Sequence, residues 1–116
     1  MINYHFVWCP KYRRKVLVGP VKDRLEEVLC ELAEKMDFKT LSLEVMPDHV
    51  HLFVSTLPRH SPAGLLNSIK GVTSRRLRQD FPELRKHALW TRTYYVGTAG
   101  QVSAETIRRY IEQCQK

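Results

Sequence analysis

A chain of 116 residues has the size of one domain with one core, and such a domain buries only about two thirds of its unfolded surface. With 43% hydrophobic and 27% charged residues, and no apolar run near the roughly 20 residues of a membrane helix, it falls outside the membrane-embedded and disordered classes. Nineteen Lys and Arg against twelve Asp and Glu leave a formal charge of +7, which favours a polyanion as partner, although solubility alone can account for such an excess.

We expect a single domain over 1–116 and a cytoplasmic location, because Met1 leads directly into a polar-apolar alternation with no leader pattern. Cys9, Cys30 and Cys114 are odd in number and far apart, which predicts free thiols. Asn3 to Cys9 alternates as a strand, with Tyr4, Phe6 and Trp8 on one side and His5, Val7 and Cys9 on the other, and Pro10 ends it. A basic connection, Lys11 to Lys15, then leads through Gly19-Pro20 into a helix with Val21, Leu25, Val28, Leu29, Leu32 and Met36 on one stripe.

Lys39 to Met46 alternates with Leu41, Leu43 and Val45 on one side, and Pro47-Asp48 turns the chain into a second strand from His49 to Leu57. Ser61-Pro62 caps and opens a second helix through Leu65, Leu66, Ile69 and Val72 toward Phe81-Pro82, with Arg75, Arg76 and Arg78 in its later turns. Leu89 to Val96 reads as the last strand. Ser103 and Glu105 open a final helix with Ile107, Tyr110, Ile111 and Cys114 on one stripe. This order predicts an α+β, ferredoxin-like (split βαβ) antiparallel sheet with two helices on one face and a C-terminal helix carrying Tyr110.

Val50, Leu52 and Val54 suit the helix-covered core, so His49, His51 and Phe53 are expected on the opposite face. Two histidines two apart on a strand can share one metal ion, although an arbitrary His-x-His is more often polar surface. Tyr110 taken alone reads as a packed aromatic; a nearby divalent cation would favour its phenolate and turn it into a nucleophile. Lys11, Arg13, Arg14 and Lys15, with Lys70, Arg75, Arg76 and Arg78, form a candidate DNA-binding set, and Tyr12 offers a ring on which an unpaired base can stack. Trp8 and Trp90 read as core.

Four blocks together resemble the single-tyrosine HUH transposases of the insertion-sequence 200/605 type. They are Tyr4 to Trp8 with Lys11 to Arg14, Met46 to Leu52 with its Pro47-Asp48-His49-Val50-His51, Trp90 to Thr98, and Arg109-Tyr110-Ile111-Glu112. The resemblance implies that His49 and His51 bind magnesium or manganese and that Tyr110 attacks a phosphodiester to give a 5′-phosphotyrosine and a free 3′-hydroxyl. It also implies a homodimer acting on single-stranded DNA with hairpins at the element's ends. The family's third metal ligand, a glutamine four residues after the tyrosine, falls here on Cys114, a poor partner for magnesium. Gln113 is the expected substitute. A non-catalytic RNA-binding module and a domesticated nuclease acting on repeated hairpins are the competing expectations.

Overall fold

The computed structural model describes residues 1–98. The expected final helix, with Tyr110, Gln113 and Cys114, lies outside the described residues. Four strands, β1 (Ile2–Trp8), β2 (Phe38–Met46), β3 (His49–Thr56) and β4 (Tyr95–Thr98), form one antiparallel sheet in the order β2-β3-β1-β4. Two helices, α1 (Gly19–Lys35) and α2 (Pro62–Asp80), connect them in the split βαβ manner. None of the described helices is long and apolar enough to cross a membrane.

The register explains which side chains meet. Tyr4, Phe6 and Trp8 of β1 lie opposite Val54, Leu52 and Val50 of β3, and these six share one face. That face joins Val21, Leu25, Val28, Leu29 and Leu32 of α1 and Leu65, Leu66, Ile69 and Leu77 of α2 in a single buried cluster. Each such side chain contributes about 1.5–3 kcal/mol by leaving water. α2 starts as expected: Ser61 Oγ accepts from the Gly64 backbone N–H at 3.0 Å, and Pro62 occupies the first turn, where no N–H is needed.

Both tryptophans belong to this core. Trp8 meets Trp90 edge to face at 5.9 Å. Trp90 Nε1 donates to Thr73 Oγ1 at 3.0 Å, and Thr73 in turn donates to the Ile69 carbonyl at 2.7 Å, so the indole N–H is anchored on α2.

Two expectations need correction. The alternation assigned to β2 breaks at Leu41, because a bulge separates Thr40, opposite Val54, from Ser42, opposite Phe53. The extra residue has no partner across the ladder and Leu41 is exposed, whereas Leu43 and Val45 keep their places opposite Leu52 and Val50. The last strand is Tyr95–Thr98 rather than Leu89 to Val96. Trp90 instead forms an isolated bridge with Pro10, in which Lys11 N donates to Leu89 O and Thr91 N to Cys9 O. Pro10 fits this bridge because the hydrogen bonds are made by the residues on either side of it, and pairing stops where Tyr12 and Arg13 turn left-handed, while Thr91 makes hydroxyl contacts to Thr93 before β4 begins.

Candidate metal and nucleic-acid site

On the sheet face away from the two helices, β3 presents His49, His51 and Phe53, all half-buried. Their neighbours across the ladders follow from the register. Met46 and Glu44 of β2 lie opposite His49 and His51, Val7 and His5 of β1 opposite His51 and Phe53, and Tyr95 and Gly97 of β4 opposite Val7 and His5. The face is not uniformly open, since His5 and Val7 at its centre are buried. A Cβ on Gly97 would sit 2.8 Å from the Tyr95 hydroxyl, so a larger residue there would have to push that ring aside.

Each histidine of the pair has one ring nitrogen engaged. His49 Nδ1 lies 3.0 Å from Asp48 Oδ1, and Asp48 Oδ2 accepts from Arg13 Nε at 2.8 Å. Burial pushes the Asp48 carboxyl up, but the hydrogen bonds from His49 and Arg13 outweigh it and hold Asp48 below the usual carboxylate range. A carboxylate on the far nitrogen is the arrangement that orients ligating histidines, and it leaves Nε2 of His49 for a cation. His51 Nε2 lies 3.1 Å from His5 Nδ1, which leaves Nδ1 of His51. Burial lowers the His51 pKa, with His5 adding to it and Glu44 opposing it, which favours the neutral ring that a metal ligand needs.

The donor set fits a divalent ion in part. Two neutral imidazoles suit manganese and related ions, while magnesium needs further oxygen from phosphate or water. Among the described residues no group of three His, Cys, Asp or Glu is placed to hold a metal.

The candidate DNA contacts divide into two groups. Tyr12 and Arg13 follow β1 in a tight turn with φ of 59° and 50°, a left-handed conformation that costs a residue with a side chain about 1–3 kcal/mol. The turn exposes the Tyr12 ring, which carries Lys11 Nζ over its face and His87 at its edge. It also directs Arg13 to Asp48 and Arg14 to the carbonyls of Lys11 and Ala88, while Lys15 is exposed.

On α2, Lys70 donates to Thr91 O and sits over the Tyr94 ring, and Arg76 pairs with Glu31 of α1. Arg75 and Arg78 line an open groove of about 460 Å³ with Gly71, Ser74, Gln79 and Arg85. Arg85 was not singled out from the sequence. It lies past the end of α2 in the short turn Pro82–Lys86, and reaches the groove because its guanidinium donates back to the Arg78 carbonyl at 2.7 Å. His5, Asp48 and Glu44 were also missed as parts of the site. Period-two alternation already places His5 on one side of β1, but only the strand order sets it beside β3.

Comparison with known proteins agrees with this arrangement. A family model described as "Transposase IS200 like" matches residues 1–114. The ISDra2 transposase TnpA of Deinococcus radiodurans is 36% identical over 115 residues, covering 96% of this chain and 82% of the relative. The transposase for insertion sequence element IS200 of Salmonella typhimurium is 33% identical, covering 95% of this chain and 74% of its own. A crystal structure of a D. radiodurans protein assigned as a transposase superposes with a TM-score of 0.90 at 36% identity, covering 97% of this chain and 89% of that one. A REP-associated tyrosine transposase bound to a REP hairpin shares the fold at a TM-score of 0.66 and 13% identity, covering 96% and 62%. With the family's model matching nearly the whole of this chain and two curated relatives above 30% identity, the chain belongs to the IS200-like transposase family of DNA-processing enzymes.

Proposed function

We propose that the chain cleaves and rejoins single-stranded DNA at hairpin-bearing ends of an insertion sequence, with Tyr110 as nucleophile and His49 and His51 as ligands of magnesium or manganese. The observation that carries this reading is the pair His49 and His51 on one sheet face, each with its second ring nitrogen already engaged. The phenol oxygen of Tyr110 forms a bond to phosphorus as the bond from phosphorus to the 3′-oxygen breaks. The phenol proton is lost, the departing 3′-oxygen gains one, and the phosphodiester energy is kept in a 5′-phosphotyrosine. Attack by a 3′-hydroxyl from another strand reverses the step and joins DNA. When bound, a divalent ion supplies charge that favours the phenolate and polarises the phosphoryl group.

Lys15, Arg75 and the groove of Arg78 and Arg85 would hold backbone phosphates, and Tyr12 would stack an unpaired base for about 1–3 kcal/mol. A homodimer, in which the tyrosine of one copy can serve the histidines of the other, belongs to the same proposal. Gln113 would add an oxygen ligand.

The test is incubation of the full chain with labelled single-stranded DNA bearing a hairpin, with manganese, followed by denaturing electrophoresis for a protein-DNA adduct. His49→Ala should remove the adduct while hairpin binding in EDTA stays within about twofold, since a loss of metal leaves the phosphate contacts intact. Binding without any adduct in the unsubstituted chain would favour a non-catalytic RNA-type module. Cleavage without strand joining would favour a domesticated nuclease.

Arg13→Ala separates positioning from DNA binding. Its guanidinium is committed to Asp48, so the substitution should slow adduct formation by about 10-fold or more through His49, with little change in hairpin affinity. An equal loss of affinity and rate would return Arg13 to the group of phosphate contacts.

A further inference from the structure

We propose that His5 is a positioning residue for the metal site, which accepts the Nε2–H of His51 and so reserves Nδ1 of His51 for the cation. The inference rests on the reading of His51 as a metal ligand. His5 lies on β1, diagonally across the ladder from His51, and its Nδ1 is 3.1 Å from His51 Nε2. The ring has little freedom to turn. It is 5% exposed and stacks flat on Phe53, with ring centres 3.9 Å apart and planes within 4°.

Only one proton can lie between two neutral imidazole nitrogens at this distance, and there are two ways to place it. If His5 donates, His51 accepts at Nε2 and carries its own proton on Nδ1, so neither nitrogen of His51 can bind a metal. If His51 donates, its Nδ1 keeps a free lone pair and points away from His5. Ligation therefore selects the second arrangement, with the remaining proton of His5 on its Nε2. A ligating histidine usually donates its other N–H to a carboxylate, a carbonyl or water. Asp48 fills that role for His49, and a third imidazole fills it for His51. The two ligands are consequently opposite in sense, His49 offering Nε2 and His51 Nδ1.

The test is manganese affinity of the full chain, read from the free-ion signal by electron paramagnetic resonance, for His5→Phe, His5→Asn and His51→Ala. Phenylalanine keeps a flat ring on Phe53 but removes the acceptor. Asparagine returns an oxygen at the δ position. We expect His5→Phe to weaken binding about 10- to 100-fold, the range for loss of a partner behind a metal ligand, and His5→Asn to recover most of it. Manganese affinity unchanged in His5→Phe but lost in His51→Ala would overturn the role of His5 alone. Affinity unchanged in His51→Ala would remove the ligand reading and this inference with it. Equal weakening in both His5 variants, with melting temperatures near that of the parent, would also overturn the positioning role, because the acceptor would then not be what matters.

Discussion

Replacing Tyr110 with phenylalanine is expected to reduce the covalent protein-DNA adduct to background, a loss on the order of 10⁴-fold or more, the scale seen when a nucleophilic group is deleted from a site that is otherwise intact. Phenylalanine differs by one hydroxyl, so an unchanged melting temperature and unchanged hairpin binding in EDTA are expected beside it. Adduct formation and melting can be measured on the same preparation. An adduct that survives the substitution would assign the covalent bond to another residue. Tyr95 would be the first to examine, because it lies opposite Val7 on the same sheet face as the two histidines.

Trp8→Ala should have the largest effect on stability, about 3–5 kcal/mol by the usual cost of emptying an aromatic from a core. Domains of this size hold only about 5–15 kcal/mol in total, so a fall in melting temperature on the order of 15 °C is expected. Trp8, the last residue of β1, is fully buried and packs against Trp90, whose own N–H is satisfied by Thr73. The Trp8 Nε1 has no hydrogen-bond partner among the described residues. Trp8→Phe should therefore lose less than its smaller ring alone implies, since it also removes a buried donor with no acceptor. Thermal melts of the two variants check both statements, and a phenylalanine variant as unstable as the alanine one would show that the N–H is satisfied after all.

Much of the fold was legible because the strands and helices carry different periods. Val50, Leu52 and Val54 alternate without error, and Ser61-Pro62 marks the start of α2 by chemistry that acts locally. Two places misled for equally physical reasons. A bulge leaves no mark in composition, so Leu41 looked like one more inward residue. An aromatic run looked like a strand because nothing in Leu89 to Tyr94 says that the chain opposite it turns left-handed at Tyr12 and Arg13, leaving one isolated bridge at Trp90. At the site, His49 and His51 could be placed on one face from their spacing, whereas the partners that engage them could not. Asp48 was read as part of a turn and of the histidine motif but given no role beside His49, and His5 is 46 residues from His51, brought near by strand order alone. Charge counting likewise proposed Arg13 and Arg76 as phosphate contacts without seeing that Asp48 and Glu31 already hold them.

The bulge at Leu41 has an effect on how copies of this chain can meet. Among the described strands β2 is an edge of the sheet, and an unbroken edge offers its backbone donors and acceptors to any extended strand that passes. The additional residue puts the row of donors and acceptors out of step midway along the strand, so a straight intruder could pair with one half but not with both. Protection against runaway fibre growth is thus built into the backbone of β2, and deleting Leu41 should make the protein more prone to polymerise even though that side chain contributes little to its core.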